Sequence, residues 1–419
     1  MACCPAEGNP PVDLTWSESE QSFRDDARTW LESNVPDPAL PSGDTREGFD
    51  LHLEWEYRLA EDRWSVVSWP EAYGWRAASL WEWLIFEEEY YRVGGPQRVT
   101  QNGIFLLAPT IFEFGTEAQQ DYYLPRMSAA TDLWCQGWSE PNAGSDLAGV
   151  RSKATRDDAA GGWLLSGQKT WTTRGAFCNY LFGLFRTDPE SERHKGLTYF
   201  MVPLDAPGVT VRGFGRLDGD EGFAEVFFDD VFIPDGQSIP DGQSIPDGVA
   251  DVDGQSVAEG MAAGGILGDV DQGWGVAMAT TSSERGLTLR SPGRFQATAT
   301  RLVELARERA GAGLGDIAAD AVVDAWIDAE AYSLYTLSDV TGIIEGRSLG
   351  ARSSYNKIFW SELDVRLHEV ALGLLGPEAE LDGPWMKGYE FALSGPIYAG
   401  TNEIQRNIVA ERVLGLPRK

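Results

Sequence analysis

The chain has 419 residues, 42% of them hydrophobic, enough for two or three domains with substantial cores, and its longest apolar run (Gly103–Phe114) is too short to cross a bilayer. Sixty-five acidic against 34 basic residues give a formal charge of −31, a field that repels nucleic acid and anionic membrane surfaces. An anionic ligand is opposed as well, unless Lys and Arg are gathered at its site. Three histidines (His52, His194, His368) and four cysteines (Cys3, Cys4, Cys135, Cys178) without metal spacing argue against an all-histidine metal site and a Ser-His-Asp triad.

The opening "MACCPAEGNPPVD" has no basic start and no extended apolar core, so it reads as a frayed leader and the expected location is cytoplasmic. "WSESEQSFRDDARTWLESNV" begins with Ser17 and Glu20 in capping-box spacing, and Phe23, Ala27, Trp30 and Leu31 mark one helical face. "LWEWLIFEEEYYRVG" (Leu80–Gly94) is a second helix whose aromatics belong to a core. From Leu133 the texture becomes short, aromatic and β-branched segments between Gly, Asp and Pro, as in an antiparallel β domain. It runs into a tandem "IPDGQS" repeat from Ile233, which predicts an exposed loop with a substrate lid as one use. Helical texture resumes at Gln272: "SELDVRLHEVALGLLG" puts Leu363, Leu367, Val370, Ala371 and Leu374 on one stripe. "NEIQRNIVAERVLG" predicts a last helix with Ile404, Ile408 and Val409 inward. The expected organisation is an α+β chain: a helical domain over 1–132, a β domain over 133–248, a linker over 249–271 and a helical bundle over 272–419.

Three ordered motifs carry the chemistry: "WCQGWSEPNAGSDLAG" (Trp134–Gly149), "LSGQKTWTTRG" (Leu165–Gly175) and "IYAGTNEIQRNIVAERVLG" (Ile397–Gly415). With the helix–sheet–helix layout they resemble the acyl-CoA dehydrogenase family over most of the chain. The resemblance implies bound FAD between the β domain and the C-terminal helices. Trp138 and Ser139 are then expected at the isoalloxazine, and Ser145 by the pyrophosphate or the pantetheine arm. The Gly144 backbone can come close to a ligand without a Cβ in the way. Trp171 is expected to pack on the ring system and Thr173 to hydrogen-bond near its reactive nitrogen. Tyr398, Thr401 and Glu403 match the segment that contacts the flavin and its dinucleotide part, although a carboxylate at 403 would repel pyrophosphate if it pointed inward.

The resemblance also implies α,β-dehydrogenation of an acyl thioester, carried by CoA or a carrier protein, with a carboxylate taking the α-proton and electrons leaving to an electron-transfer flavoprotein. Many members place that Glu directly after the Tyr of the last motif, where this chain has Ala399. Others carry it on an earlier helix, and here "QGWGVAMATTSSERGLTL" puts Glu284 in the matching register, with Arg285 supporting the site or substrate. Ala399 and Gly400 then border space for the acyl group.

Two departures stand out. The family's Arg-x-x-Phe-Gly stretch is replaced by "ARERAGAGLGDIAADA" and its Gln-x-x-Gly-Gly turn by "GLLGPEAE", with Gly373 and Pro377 at the altered positions. These changes point to a divergent, actinobacterial-type branch, some members of which pair two unlike subunits with only one supplying the base. A homotetramer or homodimer, a heteromer with this chain as a non-catalytic partner, and a flavin monooxygenase on the same fold are the readings the sequence leaves open.

Overall fold

The computed structural model describes residues 15–73, 76–235, 264–285, 291–310 and 315–417, without the side chains of 282–285, 316 and 317. The "IPDGQS" repeat after Asp235, the N-terminal leader and Cys3–Cys4 lie outside the described residues.

The described residues from 15 to 128 are mostly helical, and several helix starts are written in the sequence. Helices α1 (Glu18–Asn34), α3 (Leu80–Arg92) and α5 (Glu117–Ser128) each open with a complete capping box, Ser17/Glu20, Ser79/Glu82 and Thr116/Gln119. Each cap satisfies backbone N–H groups that a helix start leaves bare, at roughly 1 kcal/mol apiece. Helix α2 (Arg46–Glu61) and α3 bury Trp55, Trp83, Phe86 and Tyr90, with Trp64 stacked on Phe86 at 5.5 Å. The apolar run at 103–114 folds as a π-helical turn (Asn102–Leu107) continuing into α4 (Ala108–Phe114).

The middle domain is an 8-stranded sheet: β1 (Trp134–Gly137), β2 (Lys153–Asp157), β3 (Gly162–Thr173), β4 (Tyr180–Arg186), β5 (Leu197–Pro203), β6 (Val209–Phe214), β7 (Phe223–Pro234) and β8 (Ile266–Leu267). Its order is β6-β7-β3-β2-β4-β5-β8, with β1 against β4. The expected antiparallel pattern needs correction at β4, which runs parallel to both β1 and β2. The linker expected over 249–271 also contributes: Ile266 and Leu267 pair with Phe200 and Tyr199 of β5. A two-residue strand carries too little periodic pattern to be read from sequence.

The C-terminal bundle comprises α6 (Gly273–Arg285), α7 (Pro292–Arg309), α8 (Asp316–Ile344), α9 (Ser353–Leu375), α10 (Pro384–Ala392) and α11 (Asn402–Ile408). Leu363, Leu367 and Ala371 are buried as the stripe predicted, and Gly376 ends α9 at φ +58°. The last helix differs from expectation. Ile404 is exposed, while Asn402 and Gln405 face inward because their amides satisfy the loop and helix beside them.

Helix α6 is where the three domains meet, packing on β5, on the π turn and α4, and on α9. A Cβ at Gly273 would come within 2.5 Å of the Tyr199 backbone nitrogen, so only glycine lets the helix start this close to the sheet. Farther along, Thr280 Oγ1 lies 2.9 Å from Thr110 Oγ1 of α4 and 3.3 Å from the Tyr199 hydroxyl of β5. One buried threonine thus joins all three domains.

Candidate active site

The sheet side of the site is built on a buried ion pair. Lys169, on an inward position of β3 and fully buried, donates to Glu140 Oε1 (2.9 Å) and to the Leu184 carbonyl (2.7 Å). Glu140 also accepts the backbone N–H groups of Arg151 (2.7 Å) and Ser152 (2.9 Å). Burial pushes the Glu140 carboxyl up, but Lys169 and the two amides outweigh it and hold it below the usual range. The backbone of Glu140 closes a tight turn by exchanging hydrogen bonds with Ala143. Gly144, Ser145 and Asp146 are therefore presented to solvent on a loop whose base is fixed.

Ser139 precedes this hub, and its carbonyl accepts the Thr170 N–H at 2.9 Å, which ties the first motif to the second. Trp138 lies in the core, edge-on to Tyr199 (5.7 Å) and Phe182 (6.2 Å), with an indole N–H that has no acceptor among the described residues. Past Lys169, β3 slips register against β7, and Trp171 takes a left-handed backbone at φ +58°. That conformation costs a non-glycine residue about 1–2 kcal/mol. It leaves the Trp171 ring 60% exposed, edge-on to Phe214 and Phe223. The fold spends strain to show a large apolar ring to its surroundings. Thr173, pairing with Phe223, ends the strand half-buried beside it.

The C-terminal side is a loop held by amides. Ala399 (φ +56°) and Gly400 (φ +78°) are both left-handed, and Gln405 donates to their carbonyls at 2.8 and 3.3 Å. Ser354 Oγ in turn donates to Gln405 Oε1 at 2.7 Å. Asn402 Oδ1 accepts from Lys357 (2.7 Å) and Ser361 (3.2 Å) of α9. Thr401 caps α11 by accepting the Ile404 N–H, so its hydroxyl already has one partner in the chain. Tyr398 packs 5.8 Å from Trp360. Glu403 is exposed; hydrogen bonds from its own backbone amide and from Thr401 hold its carboxyl below the usual range.

The structure therefore brings Trp138, Ser139, Trp171 and Thr173 together on one sheet edge, with Gly144 and Ser145 on the adjoining loop. Tyr398, Ala399, Gly400, Thr401 and Glu403 sit on a separate support. Helix α6, packed on the sheet and on α9, lies between these supports and ends at Glu284–Arg285, whose side chains are outside the described residues. Sequence reasoning overlooked Glu140, Lys169, Asn402 and Gln405, although all four stand inside the quoted motifs. A lysine at an inward strand position signals a buried carboxylate partner, and that signal was there to be read.

The residues on the sheet edge suit FAD. A Cβ at Gly144 would meet no atom within 4 Å and its φ is not left-handed, so nothing among the described residues requires glycine there. The Ser139 hydroxyl is half-buried and makes no hydrogen bond among the described residues, and the strained Trp171 ring stands open. A helix–sheet–helix fold with such an edge defines an oxidoreductase that works on a flavin.

Sequence comparison narrows the class. Residues 17–131, 135–231 and 271–414 match the N-terminal, middle and C-terminal domains of acyl-CoA dehydrogenase. The chain is 37% identical to acyl-CoA dehydrogenase IpdE1 of Mycolicibacterium smegmatis over 95% of its length and 98% of the relative's. It is also 37% identical to IpdE1 of Mycobacterium tuberculosis over the same shares. Among solved structures, the Tcur3481-Tcur3483 steroid ACAD superposes with a TM-score of 0.81 at 23% identity, covering 97% of this chain and 100% of that one. The ChsE4-ChsE5 complex from M. tuberculosis gives 0.76 at 24%, over 97% and 100%. The chain belongs to the acyl-CoA dehydrogenase family. It is an FAD-dependent oxidoreductase of CH–CH groups, and none of its described helices is long and apolar enough to cross a membrane.

Proposed function

We propose that the chain catalyses α,β-dehydrogenation of an acyl thioester with Glu284 as the α-proton base and an electron-transfer flavoprotein as electron acceptor. The observation that carries this reading is Ala399: a methyl group on the amide-held C-terminal loop offers no proton acceptor, whereas α6, pinned among all three domains, carries Glu284 in its last turn. A base carried on a helix that packs against all three domains starts from a defined backbone position, which favours a productive geometry.

Ser139, Gly144, Trp171 and Thr173 are the residues proposed to hold the flavin, with Tyr398 and Thr401 on the far side and Trp138 stiffening the edge from behind. Bound FAD supplies the hydride acceptor. Ser145 and Arg285 are assigned to the thioester's polar arm, and Ala399 with Gly400 to the acyl group. Glu403, exposed and charged, is the weakest fit to a pyrophosphate neighbour. Replacing Glu284→Gln should lower the dehydrogenation rate by roughly 10²–10⁴ with FAD content unchanged. A variant as fast as wild type removes Glu284 from the mechanism.

A second reading concerns assembly. Val323, Trp326, Ile327 and Leu334 form an exposed apolar stripe on α8. Asp320 and Asp324 are exposed on the same helix, Asp328 pairs with Arg366, Glu330 accepts from Gln296 and Asp339 accepts from Asn356, and the helix holds no Lys or Arg. Self-pairing of this face sets carboxylates against carboxylates, so we infer that it favours an unlike, basic-rimmed subunit. The lost Arg-x-x-Phe-Gly stretch agrees with shared flavin contacts. Mass photometry of the chain alone and with a co-encoded relative tests this; a stable homotetramer with a full complement of FAD rejects it.

A further inference from the structure

The end of β3 that carries Trp171 and Thr173 does not hold its shape by local preference. Trp171 (φ +58°) and Arg174 (φ +55°) are both left-handed without being glycine, a conformation that crowds the Cβ against the backbone. Two such residues in four need outside support. Part of it is backbone, since the Arg174 N–H donates to the Gly222 carbonyl at 2.9 Å. The rest comes from the N-terminal domain. Arg174, only 2% exposed, donates from Nε to Asp44 Oδ1 at 2.7 Å, while its Nη1 is buried without a hydrogen-bond partner among the described residues. Asp44 is equally buried and stands just before Thr45, the cap of α2. Its other oxygen accepts from Arg216 in the turn between β6 and β7. Burial pushes the Asp44 carboxyl up, but Arg174 and Arg216 outweigh it and hold it below the usual range.

The loop that bears Asp44 is itself fixed. The ring nitrogens of His52 lie 3.0 Å from the Pro41 carbonyl and 2.8 Å from the Gln97 carbonyl, and a Cβ at Gly43 would press within 3.2 Å of Val99. Beside the ion pair, Arg46 donates to the Ala176 carbonyl at 3.0 Å and Phe49 packs on Phe177 at 5.0 Å. The start of α2 therefore grips the turn after Thr173 through one buried, charge-assisted contact and two softer ones. We propose that Asp44 is a positioning residue for the flavin, acting through Arg174 to fix the backbone that aims Trp171 and Thr173. The inference rests on the assignment of those two residues to FAD. Removing the carboxylate frees the strand end at a strained point and leaves a buried guanidinium, next in sequence to Thr173, without this counter-charge. The N-terminal domain, which holds none of the proposed flavin contacts, thereby governs how firmly the cofactor is held.

Release of FAD from the loaded protein, followed as the rise in flavin fluorescence on dilution, tests this. Asp44→Asn should release FAD roughly tenfold faster than wild type or more. Arg174→Met cuts the same link but leaves Asp44 paired with Arg216; it should behave alike, and Arg174→Lys should recover part of the loss. Should Asp44→Asn fail to load FAD, Arg174→Met decides alone. Arg46→Met loosens the same interface without touching Arg174, so its melting temperature should fall while its FAD release stays within about twofold of wild type. Wild-type release from Asp44→Asn and Arg174→Met overturns the proposal. Release from Arg46→Met as fast as theirs also overturns it, because general docking of the domain then holds the flavin. Thr173→Ala and Trp171→Gly separate this failure from that of the assignment beneath it. If neither alters release, the edge does not face FAD and the inference falls with it; if either does while Asp44→Asn and Arg174→Met do not, the inference alone fails.

Discussion

Glu140 and Glu87 are buried to similar degrees, one under the flavin-facing loop and one in the N-terminal helical domain, yet they live under opposite conditions. Glu140 has a lysine and two backbone amides, and these partners hold its carboxyl low against the effect of burial. Glu87 has no partner among the described residues, and burial raises it to about 7. The contrast teaches that burial alone does not fix a carboxylate's role. A fully bonded one locks a loop as a charged group; an unbonded one is pushed toward its neutral form, and the fold carries its cost as pH rises.

The largest expected effect comes from breaking the satisfied site. Lys169→Met leaves Glu140 buried without its counter-charge, and chemical denaturation should report a loss of about 3–5 kcal/mol near neutral pH. A loss under 1 kcal/mol means the loop relaxes and the pair is not what holds it. Next comes Glu87→Leu. The wild-type carboxyl titrates higher in the folded than in the unfolded state, so its neutral form supports the fold below pH 4.5 and that support fades as pH rises through about 7. At pH 8 the leucine variant should gain up to about 3 kcal/mol over wild type compared with their difference at pH 4. Parallel stability profiles from pH 4 to 8 contradict the raised carboxyl.

Smaller is the effect of acid on the Glu140 pair. A depressed carboxyl gives stability that is present above its unfolded value and lost as pH falls through the folded one. Glu140→Gln should therefore narrow the gap to wild type as pH drops below about 4, as followed by melting temperature. The smallest stability change is expected at Trp171→Gly, where relief of left-handed strain, about 1 kcal/mol, offsets the lost ring contacts. Stability should stay within about 1 kcal/mol of wild type, whereas FAD should dissociate more readily in dialysis. Unaltered flavin retention would show that the exposed ring serves something other than the cofactor.

Local features were legible in the residues. The Ser17/Glu20 capping box, the α9 stripe and the helix–sheet–helix order follow from spacing alone, and the family motifs contain both supports of the proposed site. What escaped was long-range. The parallel β1–β4 pairing and the brief β8 depend on partners tens of residues away. The inward turn of Asn402 and Gln405 in place of Ile404 depends on Lys357, Ser361 and Ser354, which sequence periodicity does not see. Glu87 was hidden for a related reason: within "FEEEYYR" it reads like its neighbours Glu88 and Glu89, and only packing shows that those two reach Arg24 while it does not.

Thr280 has a mechanical consequence. It lies four residues before Glu284, about 6 Å along the helix axis. Its hydroxyl bonds the Val276 carbonyl of its own helix and also touches the other two domains, at Thr110 and Tyr199. The segment that carries the proposed base is therefore positioned by the agreement of three domains as well as by its own helix. Anything that loosens one domain against another, whether heat, denaturant or a subunit leaving, shifts the reaction geometry before any domain melts. Turnover becomes a gauge of domain alignment, and it should fail earlier than the circular dichroism does.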